Sequence, residues 1–366
     1  MTIGIDEDFW RGRRVLLTGH TGFKGGWMAL WLERLGATVR GVALPPDTEP
    51  NLFDAARIGD GLDSVIADVR DPHAVAAAVL DFTPSVVLHM AAQPLVRRSY
   101  DEPRETFATN LMGTVNLLDA VRRLPRPATT LIVTTDKVYE NLEHGQPYRE
   151  GDRLGGRDPY SASKACAELA VRAYFAAYLG PAGAAVGVAR AGNVIGGGDW
   201  SRDRLLPDIL SAFARGEPAI LRNPGAIRPW QHVLEPLHGY LLAIQALAAS
   251  PEAGLRAWNF GPEADGARSV GAVARLAADA WGEGARLVEQ VDPNAPHEAR
   301  LLTLSSDLAK AELGWRPRLD LETAIALTTD WWRGVLAGRD ARAASLEQID
   351  RYVGRGVSAS RPVAAR

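Results

Sequence analysis

Several large classes of protein are excluded by what this sequence lacks. It has a single cysteine, Cys166, in 366 residues, so it can form no internal disulfide and build no metal site from several thiolates. No metal is expected. Nowhere does an uninterrupted apolar run approach the roughly 18 residues that a membrane-spanning helix needs, and the opening MTIGIDEDFWRGRR is acidic and then basic, without the apolar core of an export signal. An excess of charge of one sign is missing too. The 41 basic and 44 acidic residues leave a net charge of −3, which supplies no long-range field to gather nucleic acid or an anionic membrane surface. Internal repeats are also absent. These absences point to a soluble protein of a reducing compartment, cytoplasmic by default. With 46% hydrophobic residues, the chain can bury one large core or two moderate ones.

The first half alternates short apolar runs with longer helical patterns. Arg14–Thr18, Ala37–Leu44, Ser64–Ala67, Ser85–Met90, Thr129–Thr135 and Ala184–Ala189 read as buried strands. Between them, Gly26–Leu35, Pro72–Phe82, Glu105–Leu124 and Tyr160–Leu179 place apolar residues three and four apart. Repeated β-α-β order predicts an α/β fold, a Rossmann-type doubly wound parallel sheet with helices on both faces. Beyond residue 190 the alternation fades, Gly and Pro cluster in GNVIGGGDW and RNPGAIRPW, and a helical pattern at Val233–Ala249 stands between long connections. The expectation is an NAD-binding domain over 9–190 and a smaller C-terminal substrate-binding domain, mainly 191–340, with some segments returning to the sheet. Residues 354–366 have little to bury and read as a flexible tail.

RVLLTGHTGFKGGW puts Gly19, Gly22 and Gly25 in G-x-x-G-x-x-G spacing between the first strand and the first helix. Glycines permit a tight turn and let backbone N–H groups approach a pyrophosphate, which the positive end of the helix dipole stabilises further. Gly19, Gly22, Phe23 and Gly25 are therefore candidate cofactor contacts. Asp68 and Val69 follow the third strand; Asp68 can accept from an adenine amino group, or it can be an ordinary turn residue. Ala91 and Ala92 end the fourth strand with small side chains, and Asn110 opens the run NLMGT. The second strand ends Val42-Ala43-Leu44-Pro45, with no acid placed to hold an adenosine ribose hydroxyl, so the motif leaves NAD and NADP both open.

Tyr160 and Lys164 form Y-x-x-x-K at the start of a helix whose first position is Pro159, so both side chains share one face. A tyrosine becomes a base when a neighbouring ammonium and an oxidised nicotinamide favour its anion, as abstraction of an alcohol proton during hydride transfer requires. The preceding strand end, Val133-Thr134-Thr135-Asp136-Lys137, adds a hydroxyl, an acid and an amine at the carboxyl edge of the sheet, where catalytic side chains gather.

With these motifs the sequence resembles the extended short-chain dehydrogenase/reductase family from about Phe9 to Ala337. Within that family it is most similar to the CDP-glucose 4,6-dehydratases, through TGHTGFKGGW, HMAAQPLVRRSY, TNLMGT, RAGNVIGGGDW, RPWQHVLEPL, NFGP, PHEA and LGWRP. The resemblance implies a homodimer joined through long helices, tightly held NAD, and a sugar nucleotide, CDP-glucose, bound between the domains. It would assign Thr135 to the sugar hydroxyl, Asp136 to the general acid and Lys137 to the base. In the related dTDP-glucose dehydratases an acid stands where this chain has Lys137. A lysine acts as base only when neutral, which calls for nearby cations and partial burial; the competing assignment is a salt bridge from Lys137 to Glu140. By the same resemblance Asn193, Arg204 and Arg228 hold the substrate pyrophosphate, through arginine's forked donors where that side chain is used, and His297 contacts the nucleotide. Trp200 and Trp230 read as packing residues. The implied reaction is oxidation of the sugar at C4, loss of water across C5 and C6, and return of the hydride to C6. A 4-epimerase or decarboxylase on the same scaffold would use Tyr160 and Lys164 without needing the acid–amine pair, and a dinucleotide-sensing protein would need no chemistry at all.

Overall fold

A computed structural model describes residues 4–143, 145–263, 266–290 and 302–354. Among the described residues twelve strands are formed: β1 Arg14–Thr18, β2 Thr38–Ala43, β3 Asp63–Ile66, β4 Val86–His89, β5 Thr129–Val133, β6 Val186–Ala191, β7 Asn193–Ile195, β8 Ala219–Leu221, β9 Ile227–His232, β10 Arg256–Phe260, β11 Ala267–Ser269 and β12 Leu287–Glu289. Seven of them make one sheet in the order β10-β6-β5-β4-β1-β2-β3. Every pairing in it is parallel. The strand order reverses between β1 and β4, and an open parallel sheet of this kind binds ligands beyond the carboxyl ends at that switch point.

Both faces of the sheet are covered, which alternate residues show directly. Val15 and Leu17 of β1 join one core cluster while Leu16 joins the other. Leu131 and Val133 of β5 likewise oppose Ile132. The larger cluster contains the fully buried indoles of Trp10, Trp27, Trp31, Trp258, Trp315 and Trp331, each a large apolar contribution to stability. Beyond the main sheet, β11, β9 and β7 form a three-stranded sheet and β12 pairs with β8.

The strand and helix ends depart from the sequence reading for identifiable reasons. Apolar patterning ends β6 at Ala189, yet the strand continues to Ala191 because Arg190 is fully buried against Glu168. The helix after β1 begins at Phe23, three residues earlier than expected, since Gly25 and Gly26 are retained in its first turns despite their poor helix propensity. The long pattern Glu105–Leu124 divides into Pro103–Phe107, a wide turn over Ala108–Met112 and Gly113–Val121. The pattern Tyr160–Leu179 is helical over Pro159–Tyr174 and then widens over Phe175–Leu179. A one-residue widening of a turn hardly alters apolar spacing, so periodicity does not register it.

Among the described residues, no helix is long and apolar enough to cross a membrane.

Candidate active site

The glycine-rich turn leads from β1 into the helix Phe23–Arg34. Gly19 has a φ of +82°, and a side chain there would lie 2.8 Å from the backbone nitrogen of Ala91. A Cβ on Gly25 would overlap the carbonyl oxygen of Gly19. Neither position tolerates a larger residue. The helix has no acid in its first turn, so its unpaired N–H groups and positive end stand uncompensated. The cradle therefore fits the pyrophosphate of a dinucleotide.

Gly19, Gly22, Phe23 and Gly25 border a cleft of 640 Å³. The same cleft is lined by Asp68, Val69, Ala91, Ala92, Thr135, Asp136, Lys137, Tyr160, Lys164, Asn193, Arg204 and Arg228. Residues scattered over more than two hundred positions thus meet at the carboxyl edge of one sheet. His297 lies outside the described residues. Asn110 does not border the cleft. Its side-chain oxygen accepts from the Gln93 backbone N–H at 2.8 Å, and its amide donates to Gln93 O at 3.1 Å and Ser163 Oγ at 2.9 Å. It braces the loop after β4 against the Tyr160 helix and can reach a cofactor only through them.

That helix is fixed at its start. Pro159 occupies the first turn, where its missing N–H is no loss, and Asp158 caps the end by accepting from Ser161 N at 2.9 Å. Tyr160, Lys164 and Glu168 follow at intervals of four and share a face. Burial pushes the Tyr160 phenol up to about 12; Thr135 and Arg204 draw it down and Asp136 pushes it further up. Alone, the site holds a neutral phenol. Burial also pushes the Lys164 ammonium down to about 8, against the attraction of Glu168, and its Nζ donates to Val133 O at 3.1 Å. Glu168 accepts from Thr134 Oγ1 at 2.7 Å and from Arg190 Nε at 2.9 Å. Arg190 in turn donates to the Tyr139 hydroxyl, which donates to Asn259 Oδ1, both at 2.7 Å. This buried network ties the Tyr160 helix to the ends of β5, β6 and β10. Sequence reading passed over Glu168, although its spacing from Tyr160 and Lys164 carries the signal.

At the end of β5, Thr135 caps a short turn over Asp136–Val138. Its hydroxyl donates to Asp136 Oδ1 at 3.0 Å. Asp136 Oδ2 is buried and has no hydrogen-bond partner among the described residues, an arrangement that is costly unless a ligand completes it or the carboxyl stays protonated. Burial pushes the Asp136 carboxyl above the usual range, against Lys137, the Thr135 hydroxyl and Arg228. Lys137 is half-buried and makes no ion pair among the described residues. Glu140 pairs instead with Arg153 at 3.5 Å, so the competing assignment of a Lys137–Glu140 bridge does not describe this structure.

Three further candidates are engaged within the protein. Arg70 pairs with Asp68 at 2.6 Å, and Arg204 pairs with the buried Asp199 at 2.9 Å. Arg228 Nη1 donates to Ile227 O at 2.8 Å. Trp230 donates to Arg268 O at 3.0 Å, and Trp200 packs edge-on against Trp331.

A Rossmann-like sheet with a Tyr–Lys pair beside a glycine cradle defines the epimerase/dehydratase class of proteins. Within that class the chain belongs to the GDP-mannose 4,6 dehydratase family, whose model matches residues 16–328. It is 44% identical over 354 residues to the CDP-glucose 4,6-dehydratase of Salmonella typhimurium, covering 95% of this chain and 98% of that one. A dTDP-glucose 4,6-dehydratase of Streptomyces griseus is 30% identical over 331 residues, covering 87% and 93%. Among solved structures, a Thermus thermophilus UDP-glucose 4-epimerase in complex with NAD superposes with a TM-score of 0.73 at 26% identity, covering 88% of this chain and 99% of that one. The chain is thus a homologue of CDP-glucose 4,6-dehydratase on a scaffold shared with nucleotide-sugar epimerases.

Proposed function

We propose that this protein dehydrates CDP-glucose to CDP-4-dehydro-6-deoxyglucose, with NAD used catalytically and not consumed. The observation that carries this reading is the buried carboxyl oxygen of Asp136, which has no hydrogen-bond partner among the described residues and stands in the turn between Thr135 and Lys137. Alcohol oxidation alone needs no such acid–amine pair beside the Tyr160 phenol. The glycine turn and the positive end of the helix Phe23–Arg34 hold the dinucleotide pyrophosphate, with Asp68, Val69, Ala91 and Ala92 along its path. Bound NAD supplies a reversible hydride acceptor, so oxidation at C4 and reduction at C6 balance within one turnover.

This chain's own residues do the proton work. Thr135 and Tyr160 engage the sugar 4-hydroxyl, and Tyr160 takes its proton as the C4 carbon is oxidised. The resulting ketone acidifies C5. Lys137 then removes the C5 proton while Asp136, whose carboxyl burial pushes above the usual range, protonates the departing 6-hydroxyl. The protonated Lys137 returns the proton to C5 once C6 has been reduced. Asn193, Arg204 and Arg228 bind the substrate pyrophosphate. Arg204 must exchange or share its Asp199 partner to do so. The exposed apolar side chains Met112, Leu169 and Tyr178 lie on or beside the two long helical segments, which supports a homodimer joined through them. Light scattering of the purified protein should return twice the 39.4 kDa chain mass, and a monomer would remove that part of the reading.

The deciding assay is incubation with CDP-, dTDP- and GDP-glucose and trace NAD, followed by mass analysis of the products. The CDP-sugar should lose one water per turnover without net NADH. Denatured protein should release NAD retained through purification. A product of unchanged mass would indicate epimerisation, and a need for stoichiometric NAD would overturn the redox-neutral scheme.

A further inference from the structure

Lys164 and Glu168 stand four residues apart on the helix Pro159–Tyr174, a spacing at which opposite charges ordinarily join. Among the described residues no such pair forms. Lys164 Nζ donates to Val133 O at 3.1 Å, while both carboxylate oxygens of Glu168 are taken by Arg190, whose Nε lies at 2.9 and 3.2 Å from them and whose Nη2 donates at 2.5 Å. The Thr134 hydroxyl adds a donor at 2.7 Å. Arg190 Nη1 is engaged by the Tyr139 hydroxyl and by Glu150 O, at 2.7 and 3.1 Å, so the guanidinium is locked on both sides. Glu168 and Arg190 are buried almost completely. A buried pair is a poor source of stability, because desolvating two charges offsets their attraction and an apolar pair of similar volume often serves as well. Stability alone therefore does not account for an ion pair one turn beyond Lys164.

We propose that Arg190 and Glu168 are positioning residues for the Tyr160–Lys164 pair: by closing on each other they keep the carboxylate from capturing Lys164, so that its ammonium stays on the cleft wall beside Tyr160. This inference rests on the proposed role of Tyr160 as the base at C4. Burial pushes the Lys164 amine down to about 8, and Glu168 is the acid that opposes the shift. The other ionisable groups facing Lys164 are Lys24, on the helix Phe23–Arg34, and His89, at the end of β4, both pushed down by burial with Lys164 adding to the shift. Neither can replace Glu168 as a counter-charge. Asp136, Asp158 and Arg204 act on Tyr160. A guanidinium left without Glu168 would disfavour protons on both Tyr160 and Lys164, and a carboxylate left without Arg190 would favour them.

The test reads the pH at which oxidation at C4 rises, from NADH absorbance on rapid mixing of the holoenzyme with CDP-glucose, in the parent, Glu168→Gln, Arg190→Met and Glu168→Gln/Arg190→Met proteins. Glu168→Gln keeps the side chain's shape and its bond from Thr134 but leaves a guanidinium that cannot discharge. Its rising limb should move to lower pH by about one unit, the weight of one charge roughly a helical turn away in a partly screened site. Arg190→Met frees the carboxylate for Lys164 and should move the limb to higher pH by a similar amount. The double variant removes both charges and should return the limb to the parent position. Should Arg190→Met not fold, the shift in Glu168→Gln and its reversal in the double variant decide. Limbs that stay in place while the single variants only melt earlier, or that move the same way in both, overturn the inference and leave Tyr160 as the base. A parent protein whose oxidation step has no such limb overturns the reading of Tyr160 and this inference with it.

Discussion

Tyr160→Phe should lower turnover by about 10²–10⁴-fold, the range associated with loss of one general acid–base group, while CDP-glucose and NAD still bind. The substitution removes one oxygen and keeps the ring, which is almost entirely buried on the catalytic helix, so the packing that orients Lys164 is preserved. Burial has pushed the phenol up to about 12. Its anion is therefore scarce in the empty site at neutral pH, and Lys164, lowered to about 8, provides only part of the compensating charge. Binding of a cationic ring beside Tyr160 would shift its proton equilibrium downward. The sign of the pH dependence follows: oxidation at C4 should quicken as pH rises toward the lowered value of the phenol in the loaded enzyme, and Tyr160→Phe should lose that limb. Rapid-mixing absorbance at the NADH band isolates the oxidation step, and calorimetry measures binding. Near-parent oxidation in Tyr160→Phe would make the phenol a packing group and place the base elsewhere.

The parts of this site that were legible in the sequence are those whose chemistry imposes spacing. Gly19 and Gly25 show because backbone atoms of Ala91 and Gly19 leave no room for a side chain, and Tyr160 and Lys164 show because a helix brings every fourth residue to one face. The strand end Thr135-Asp136-Lys137 was legible because it ends an apolar run at the edge where parallel sheets gather their chemistry. Three-dimensional pairing was not. Nothing local says that Asn110 faces inward to Gln93 and Ser163, or that Arg204 is held by Asp199. Arg190 misled the strand reading for a related reason: a charge inside an apolar run looks like an end until Glu168, 22 residues away, is seen to neutralise it.

Asp136→Asn and Lys137→Ala should both oxidise the sugar and then stall before water is lost, so that enzyme-bound NADH accumulates where the parent shows only a transient. The reason lies in the division of labour across the cleft. Tyr160 sits on the helix Pro159–Tyr174 and, in the proposed scheme, acts at C4, whereas Asp136 and Lys137 sit on the turn after β5 and are proposed to act at C6 and C5. Asn keeps the shape of Asp136 and its link to Thr135 but has no acidic proton for the leaving hydroxyl. Because burial raises the Asp136 carboxyl, the acid form persists to higher pH than usual, and dehydration should fall as pH climbs through that raised value. Lys137→Ala removes a half-buried amine that has no carboxylate partner among the described residues, so little folding stability should be lost with it. Loss of the elimination step by about 10²–10⁴-fold is expected for each change. Single-turnover absorbance combined with product mass separates the steps: bound NADH with a sugar nucleotide that has lost two hydrogens but no water marks the stall. Dehydration at the parent rate in Lys137→Ala would show that the C5 proton leaves by another route, and the same result in Asp136→Asn would show that its unpartnered oxygen serves packing and not proton donation.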